Sequence, residues 1–343
     1  RVRRGPRHFD QLCAMFASDL LAHGALGAGK GWAHPEVRLL CDASARPGYD
    51  SSRAHEFEEV PDVFDRKIEV LCDLLKRSRS TQAYTGAGIS TASGLGDYAT
   101  QSSESVSAQG RPQLRTHFEA QPTAAHYALV ALHEAHLLQG WIQQNHDGLP
   151  QKAGYPQGRL NEIHGSWFDP GNPVVAMSGQ LRSDLFEDMQ QRIEAADLVL
   201  ALGTSLAGMN ADQCVTSVAA RARSGAALGA VIVSLQQTQQ DSVAALRIFA
   251  PIDKVMEAVC QRLALVPRQS PAPGLPVVEE VFQVPYGEDG ERLSPGQTRA
   301  LDLREDARVR VVAGPYAGCE GEVVGQQREG HVKLRIMVPV KKL

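Results

Sequence analysis

The chain has 343 residues and a formal net charge of −4, with 43% hydrophobic and 22% charged residues. This length suits one large α/β domain with a smaller addition, because domains usually hold roughly 100–200 residues. The charge excludes a global basic field for nucleic acid, and without any apolar run of about 18 residues we expect no membrane span.

The six cysteines lie far apart and form no C-x-x-C pair. Their spacing therefore predicts neither a zinc ribbon nor a disulfide framework. Scattered thiols favour a reducing compartment, so we expect an intracellular protein, nuclear or cytoplasmic. The chain begins at Arg1 rather than Met, so a targeting segment ahead of it would be missing, and the compartment stays open.

Residues 1–60 carry little pattern, and we interpret them as an N-terminal extension in which residues 11–23 could form a helix. Regular structure is predicted to begin near Pro61, with Ile68, Leu71 and Leu75 on one helical face. Strands then alternate with helices. The predicted strands are 82–85, 140–144, 198–202 and 231–235, and the predicted helices are 123–138, 184–195, 211–223 and 253–265. This alternation predicts a doubly wound, Rossmann-like parallel sheet over 61–265.

The last part of the chain changes character. Residues 266–300 are rich in Pro and Gly, and we interpret them as a linker. From residue 301, apolar side chains such as Val309, Leu334 and Ile336 alternate with others at the period of strands. Residues 301–343 therefore predict a small β-barrel-like segment, cut short at Leu343.

Ligands of an open parallel sheet bind beyond the carboxyl ends of its strands, and four predicted strands end in glycine or polar residues. The first is followed by Gly86, Ala87, Gly88 and Ser90. Glycine lets the backbone approach a pyrophosphate, and the N-terminus of a following helix would favour negative charge. Thr91 stands in place of the third glycine of G-x-G-x-x-G, so this turn alone is a weak signal.

The other three strand ends add amide, carboxylate and hydroxyl groups that can hydrogen-bond ribose hydroxyls and a nicotinamide amide. These residues are Gln144, Asn145 and Asp147 after the second strand, Gly203, Thr204 and Ser205 after the third, and Ser234 after the fourth. Any one of them alone would be interpreted as a polar loop. Four at matching topological positions predict a dinucleotide site.

Histidines offer the candidate for proton transfer. His164, followed by Gly165, lies between the second and third signatures, and histidine is suited to accept a proton near neutral pH. A lone histidine is more often a surface or packed core residue. His126, His133 and His136 have a spacing that hints at a metal, but no cysteine joins them. We assign these three to structure and predict no metal site.

Together these residues resemble the sirtuin (Sir2-like NAD-dependent deacylase) family over about residues 61–265. The family's glycine signature is similar to residues 85–98, which include Asp97 and Tyr98, and its Gln-Asn-x-Asp motif is similar to residues 144–147. Its His-Gly pair resembles His164 and Gly165. Its Gly-Thr-Ser turn is similar to 203–205, and its late strand, on the adenosine side, to 231–241.

The resemblance implies NAD as cofactor and an acyl-lysine of a protein or peptide, a histone included, as substrate. It implies that the acyl oxygen attacks the anomeric carbon as nicotinamide leaves, and that His164 is the general base on a ribose hydroxyl. Asn145 would position the ribose, Asp147 the nicotinamide carboxamide and Gln144 a ribose hydroxyl. The other implied cofactor-binding residues are Gly86, Ala87, Gly88, Ser90, Asp97, Tyr98, Gly203, Thr204, Ser205 and Ser234.

Two departures from the family pattern keep alternatives open. Most sirtuins carry four zinc-binding cysteines after the His-Gly pair, whereas this chain has no cysteine between Cys72 and Cys214. We expect that module to be lost and residues 167–170 to pack as an apolar plug in its place. Ala99 stands where the family has an arginine. A mono-ADP-ribosyltransferase and a weakly catalytic NAD-binding interaction protein therefore remain alternatives to a deacylase.

The tail resembles a KOW-type motif over residues 308–321. Such modules often contact RNA or ribosomal and transcription proteins. The basic excess from residue 301 onward is slight, so binding of nucleic acid through the tail stays open beside a packing or protein-contact role.

Overall fold

The structure is a computed structural model. It describes residues 16–46, 49–114, 117–167, 172, 174–175, 179–208, 210–270, 281–284, 287–289, 291, 293–294, 297, 299–312, 314–326 and 332–337.

A parallel sheet of six strands forms the centre of the described chain. Its strands are β5 (Thr81–Thr85), β6 (Gly140–Gln143), β7 (Leu160–Glu162), β8 (Leu198–Leu202), β9 (Gly229–Val233) and β10 (Leu246–Ile248), in the order β10-β9-β8-β5-β6-β7. All neighbouring strands run parallel. The chain leaves β5 toward β6 on one side and later returns to β8 on the other. The prediction of a doubly wound sheet is confirmed, and its switch point lies at the end of β5.

Helices cover this sheet. The described α-helices are α1 (Asp19–His23), α2 (Pro61–Arg77), α3 (Ala124–Glu134), α4 (Leu149–Ala153), α5 (Ser183–Ala195), α6 (Gln213–Arg223) and α7 (Ile252–Arg262). Helix α3 ends earlier than the pattern predicts, because His136 has a φ of 61° and the N–H of Leu137 returns to the carbonyl of Leu132. The predicted helix 123–138 included both His126 and His136. In the structure His126 lies on α3, and His136 lies beyond its end.

Each central strand is buried on both faces, as is usual for parallel sheets. In β8, Leu198, Leu200 and Leu202 belong to one apolar cluster, while Val199 and Ala201 belong to another on the opposite face. This alternation follows from the two-residue period of a strand. The first cluster contains buried residues of α2, α3 and α7, and the second contains residues of α5 and α6.

The segment before Pro61 contains more structure than its sequence pattern indicates. Besides α1 it holds the strands β1 (Glu36–Leu39), β2 (Ser44–Arg46), β3 (Tyr49–Arg53) and β4 (Glu56–Glu58), paired antiparallel as β1 with β4 and β2 with β3. Phe16, Ala22 and Phe57 form a buried cluster with Phe249 of the main domain. Contacts with the domain, rather than local periodicity, hold this segment. The boundary at residue 60 stays a prediction.

The C-terminal part contains only antiparallel strands in the residues described. β11 (Val281–Val284) pairs with β12 (Arg299–Asp302), and β13 (Arg308–Arg310), β14 (Glu320–Gln326) and β15 (Val332–Met337) form a three-stranded sheet. The segment expected to be a linker, 266–300, thus contributes β11 and the first two residues of β12. The predicted antiparallel strands of the tail are present. The resemblance to a KOW motif and the division at residues 265 and 300 stay predictions.

Trp167 lies where the plug was expected. Its ring stacks on that of His117, with centroids 5.4 Å apart and an interplanar angle of 15°. It also packs against the cluster of Leu95, Ala120 and Leu149, and against a cluster of the C-terminal part. Residues 168–170 lie outside the described residues, so the plug and the loss of the zinc module stay predictions.

Among the described residues, no helix combines the length and the apolar character that a membrane crossing requires.

Candidate functional site

The loops that follow β5 and β8 meet with their backbones in contact. The N–H groups of Gly86 and Gly88 donate to the carbonyls of Leu202 (3.1 Å) and Gly203 (2.9 Å). A Cβ atom on Gly86 would lie 2.8 Å from the carbonyl oxygen of Gly203, and one on Gly88 would lie 2.7 Å from its Cα. Glycine is required at both positions because the turns after β5 and β8 pack too closely to leave room for a side chain. The two N–H groups are engaged within the protein, so these glycines provide close approach rather than free donors.

Two short 3₁₀ turns, Ala87–Ile89 and Thr91–Ser93, follow β5. We expected the N-terminus of a longer helix at this position. Each turn holds three residues, so the argument from an aligned helix dipole does not apply to them. The hydroxyl of Thr91 donates to the carbonyl of Gly88 at 3.1 Å, and that of Ser93 donates to the carbonyl of Ser90 at 2.9 Å. These side chains complete the turns.

Ser90, Asn145 and Asp147 form a hydrogen-bonded set at the switch point, in which Ser90 and Asp147 are buried and Asn145 is half-buried. The amide nitrogen of Asn145 donates to Ser90 Oγ (3.0 Å) and to the carbonyl of Gly86 (3.1 Å). The hydroxyl of Ser90 donates to Asp147 Oδ2 at 2.6 Å. The sequence placed these residues at the ends of two neighbouring strands, and the structure brings them together.

The carboxylate of Asp147 is held at both oxygens. Oδ1 accepts from the N–H of Leu149 (3.0 Å) and from the amide of Gln143 (3.3 Å). Only 3% of the residue is exposed. Each carboxylate oxygen has two acceptor sites, so these bonds fix the group without using all of its acceptor capacity.

The charge of Asp147 acts on the pKa of two buried groups, His126 and Lys152. Burial is the main cause that lowers the pKa of His126 to about 4, and the charge of Asp147 opposes the shift. Burial likewise lowers the pKa of Lys152 to about 8, again against the effect of Asp147. Lys152 Nζ donates to the carbonyl of Ala120 at 2.9 Å. The surroundings of Asp147 are therefore dry, which strengthens electrostatic interactions there.

Gln144 connects the second strand end to the third. Its side-chain amide donates to Thr204 Oγ1 at 2.9 Å, and its backbone N–H donates to the carbonyl of Thr85 at 2.9 Å. Thr204 Oγ1 also accepts from the N–H of Leu206 at 3.4 Å. The loops after β5, β6 and β8 thus form one connected unit.

His164 is half-buried in the loop that follows β7. The N–H of Gly165 returns to the carbonyl of Glu162 at 2.9 Å, with Gly165 at a φ of 90°. His146 holds this loop beside that of Asn145: its Nδ1 lies 3.0 Å from the carbonyl oxygen of Gly165, and its own carbonyl accepts from the N–H of Trp167 at 3.0 Å. His146 was not among the predicted site residues. In the structure its side chain and its carbonyl join the loop of Asn145 to the loop of His164.

A cleft that opens to solvent lies beside this unit. Of the residues predicted to bind the cofactor, it is lined by Gly88, Asp97, Gly203, Thr204, Ser205 and Ser234. Gly86, Ala87, Ser90, Gln144, Asn145, Asp147 and His164 are not among its lining residues and belong to the adjoining loops described above. Tyr98 does not line it either, and 65% of its surface is exposed.

Two polar residues near the cleft, Gln236 and Arg111, were not predicted from the sequence because neither belongs to a recognised motif. The side-chain amide of Gln236 donates to the carbonyl of Ala99 at 2.9 Å, and its N–H donates to Ser234 Oγ at 3.2 Å. Arg111 donates to Thr100 Oγ1 at 3.2 Å and lies 3.8 Å from Asp97 Oδ1. Gln236 lies two positions after Ser234, which was predicted to bind the cofactor. Arg111 is distant from every recognised motif.

Comparison with known proteins gives consistent matches. The model of the Sir2 family matches residues 102–170. The chain is 30% identical to an NAD-dependent protein deacetylase of Saccharolobus solfataricus, over 57% of this chain and 98% of that protein. It is 28% identical to the NAD-dependent protein deacetylase sirtuin-7 of Bos taurus, over 64% of this chain and 65% of that protein.

The chain thus spans slightly less than two thirds of the length of its sirtuin-7 relatives. Among solved structures, a Sir2 protein with a p53 peptide and NAD⁺ matches over 57% of this chain and 98% of that chain, with a TM-score of 0.48 and 25% sequence identity.

Proposed function

Because this chain belongs to the Sir2 (sirtuin) family, we propose that it is an NAD-dependent protein-lysine deacylase that passes the acyl group to ADP-ribose and releases nicotinamide. Relatives that carry the name NAD-dependent protein deacetylase make acetyl-lysine in a protein or peptide the first substrate to test. The observation that carries the proposal is the hydrogen-bonded set of Ser90, Asn145 and Asp147 at the switch point of the sheet.

The cleft and the adjoining loops fit a dinucleotide. NAD, when bound, supplies an electrophilic anomeric carbon with nicotinamide as its leaving group. Gly88 and Gly203 give one wall without side chains, and Ser205 and Ser234 add hydroxyl groups. These residues would hold the phosphates and the adenosine side.

The polar set would orient the nicotinamide side. Asp147 keeps acceptor capacity beyond its bonds to Ser90 and Leu149, so it can accept from a carboxamide. The nitrogen of Asn145 is already held by Gly86 and Ser90, which leaves its oxygen to meet a ribose or a water. Gln144 would contact a ribose hydroxyl beside Thr204.

His164 is the residue we assign to proton transfer. As a histidine it can accept a proton from a ribose hydroxyl near neutral pH. Its loop is joined to that of Asn145 through His146, so the base and the ribose-orienting amide would keep a fixed relation. Pre-set geometry of this kind lowers the cost of reaching the transition state.

One observation favours a second outcome, mono-ADP-ribosyl transfer. Ala99 lines the cleft where the family has an arginine, and neighbouring Tyr98 is 65% exposed. A changed wall at this position could admit another acceptor for the ADP-ribosyl group. The same experiment separates the two outcomes.

The protein is incubated with NAD and with acetylated histone and non-histone peptides, and nicotinamide, O-acetyl-ADP-ribose, deacetylated peptide and labelled protein are all quantified. We expect deacetylated peptide in step with O-acetyl-ADP-ribose in the wild type. His164→Asn should abolish both. His136→Asn is the matched control, because His136 is exposed and asparagine tolerates its positive φ. Labelled protein without deacetylation would replace the proposal by ADP-ribosyl transfer.

A further inference from the structure

Asp19, His23 and His34 converge in the segment before α2, away from the proposed active site. One potential ligand atom of each lies within 4.8 Å of the corresponding atoms of the other two. Two ligands bound at about 2.1 Å to one tetrahedral ion lie about 3.4 Å apart. The three atoms therefore need to approach one another by up to about 1.4 Å. None of the three residues lines the cleft described above.

His23 is oriented in the way that metal-binding histidines usually are. The residue is fully buried, and its Nε2 lies 3.3 Å from the carbonyl oxygen of Trp32. Since a carbonyl can only accept, Nε2 carries the proton and Nδ1 carries the lone pair. Nδ1 is buried and has no hydrogen-bond partner among the described residues. A ring N–H held by a backbone carbonyl is a common second contact of metal-ligating histidines.

An unsatisfied buried nitrogen normally costs stability. The cost is about 1–3 kcal/mol for a group that has lost its partner. A metal ion at Nδ1 of His23 would remove that cost, and burial already disfavours the protonated imidazole that could not bind one.

The remaining two residues complete a mixed nitrogen and oxygen set. His34 Nε2 lies 3.0 Å from Asp19 Oδ1, and Asp19 Oδ2 accepts from the N–H of Gly29 at 3.3 Å. The rings of His23 and His34 have centroids 5.5 Å apart. Imidazole nitrogens with one carboxylate suit divalent transition metals such as Zn²⁺ or Co²⁺ rather than Ca²⁺ or Mg²⁺.

The local fold explains why these residues meet. Asp19 and His23 are four positions apart on α1 and so share one face. The following loop folds back over His23: a Cβ on Gly27 would lie 2.5 Å from His23 Cβ and 2.7 Å from the Trp32 ring. Trp32 packs edge-on to His23, with centroids 5.7 Å apart. His34 then follows two residues after Trp32.

The charges around the group permit a cation. Burial is the main cause that lowers the pKa of His23, and the positive charge of Lys67 adds to it. Lys67 Nζ donates to the carbonyl of Ala22 at 2.9 Å and pairs with Glu59 at 2.5 Å, and both side chains of the pair are fully buried. Glu59 offsets part of the charge of Lys67, and the carboxylate of Asp19 acts on His23 in the opposite direction to Lys67.

We propose that Asp19, His23 and His34 bind one divalent transition metal, of the zinc class, which holds α1 to the loop that follows it. The site is independent of the proposed function, since it needs neither NAD nor an acyl-lysine. The ion would be structural: it would fix α1 and the loop of residues 24–34.

The test uses the full chain without a polyhistidine tag, stripped with a chelator and then dialysed against Zn²⁺. We expect one equivalent of zinc by elemental analysis, a raised melting temperature, and one equivalent of Co²⁺ with visible d–d absorption. His34→Gln and Asp19→Asn change partly exposed side chains, so both variants should fold. Each should weaken metal binding by at least about tenfold.

His136→Asn and Asp65→Asn change an exposed histidine and an exposed aspartate elsewhere, and both should bind like the wild type. A wild type that takes up no stoichiometric zinc or cobalt would overturn the proposal. Undiminished binding in both His34→Gln and Asp19→Asn would overturn it too. None of these measurements reports on deacylation, so they stand whether or not the active site is assigned correctly.

Discussion

The hydroxyl of Ser90 donates a hydrogen bond of 2.6 Å to Oδ2 of Asp147 and so joins the loop after β5 to the loop after β6. Ser90 is 1% exposed and Asp147 is 3% exposed. A buried bond to a carboxylate is stronger than one between neutral groups. It also fixes the direction of Ser90 Oγ, so that the hydroxyl can accept from Asn145. The three side chains are therefore oriented before any ligand arrives.

Asn145→Ala tests this orientation. The substitution removes the amide that Ser90 and Gly86 hold, and with it the oxygen we assign to the ribose or a water. Loss of one pre-set polar group of an active site typically costs about 100-fold or more in rate. We expect nicotinamide release to fall by that factor with the fold intact by circular dichroism. The exposed Asn210→Ala is the control, and unchanged turnover in Asn145→Ala would reject the assignment.

Arg111 offers a second test, on the wall of the cleft. Its guanidinium contacts Asp97, Thr100 and the carbonyl of Ser107, and all three of these residues line the cleft. We expect Arg111→Gln to raise the KM for NAD about tenfold with a smaller change in kcat, because the wall loosens while the base is untouched. Arg111→Lys should restore part of the loss.

The control for Arg111 is Arg268→Gln, which breaks an exposed ion pair with Glu134. A fall in kcat with an unchanged KM for NAD would place Arg111 in the chemical step instead of the wall. Equal kinetics of Arg111→Gln and the control would show that the wall of the cleft holds its shape without the guanidinium.

The sheet could be predicted from the sequence because its strands carry local signals. Five apolar residues between Asp197 and Gly203 gave β8 its observed bounds. Helix α3 was predicted too long, because the left-handed turn at His136 has no glycine or proline to announce it. The strands before Pro61 were missed because each has only three to five residues, which is too short to show a clear hydrophobic alternation. Distant contacts add to them: the N–H of Phe57, for example, donates to the carbonyl of Leu235.

Some residues of the candidate site could likewise be predicted from the sequence, and others could not. Ser90, Asn145 and Asp147 could be placed together because neighbouring strand ends meet at one edge of a parallel sheet. Arg111 and Gln236 reach the cleft only through the course of irregular loops, for which no periodicity exists. The tertiary packing of α1 likewise decides that Asp19 and His23 meet His34.

Lys67→Met should strongly destabilise the protein. Lys67 is fully buried, and burial is the main cause that lowers its pKa to about 8. Its removal leaves Glu59, which also accepts from the N–H of Phe249 at 2.9 Å, as an unpaired buried carboxylate. Breaking one partner of such a pair costs about 3–5 kcal/mol. Urea unfolding should show a loss of that size in the free energy of unfolding.

The pair Lys254 and Glu58 provides the control for Lys67, because it is partly exposed with N and O 2.7 Å apart. Lys254→Met should cost less than about 1 kcal/mol. The double variant Lys67→Met with Glu59→Leu should recover much of the loss, since no charge is then left unpaired. A double variant as unstable as Lys67→Met alone would assign the loss to packing.

The pH dependence of stability should report on His126. Its pKa is lowered from 6.5 to about 4, with burial as the main cause. Above pH 6.5 the imidazole is neutral in both the folded and the unfolded chain, so stability does not change with pH on its account. Between pH 6.5 and pH 4 only the unfolded chain takes up the proton, and stability falls by up to about 3 kcal/mol. His23, with its pKa also lowered to about 4, contributes in the same direction.

His126→Gln separates the two histidines. The neutral imidazole accepts from the N–H of Thr123 at 3.2 Å as part of a capping box on α3, and glutamine can make the same reach without titrating. Urea unfolding at a series of pH values from 4 to 7.5 should show a smaller slope in this variant than in the wild type. Thr123→Val, which removes the hydroxyl that bonds both His126 and Ile89, should lower stability at pH 7.5, where the imidazole is neutral. Identical slopes in wild type and His126→Gln would mean that His126 is protonated in the folded protein well above pH 4.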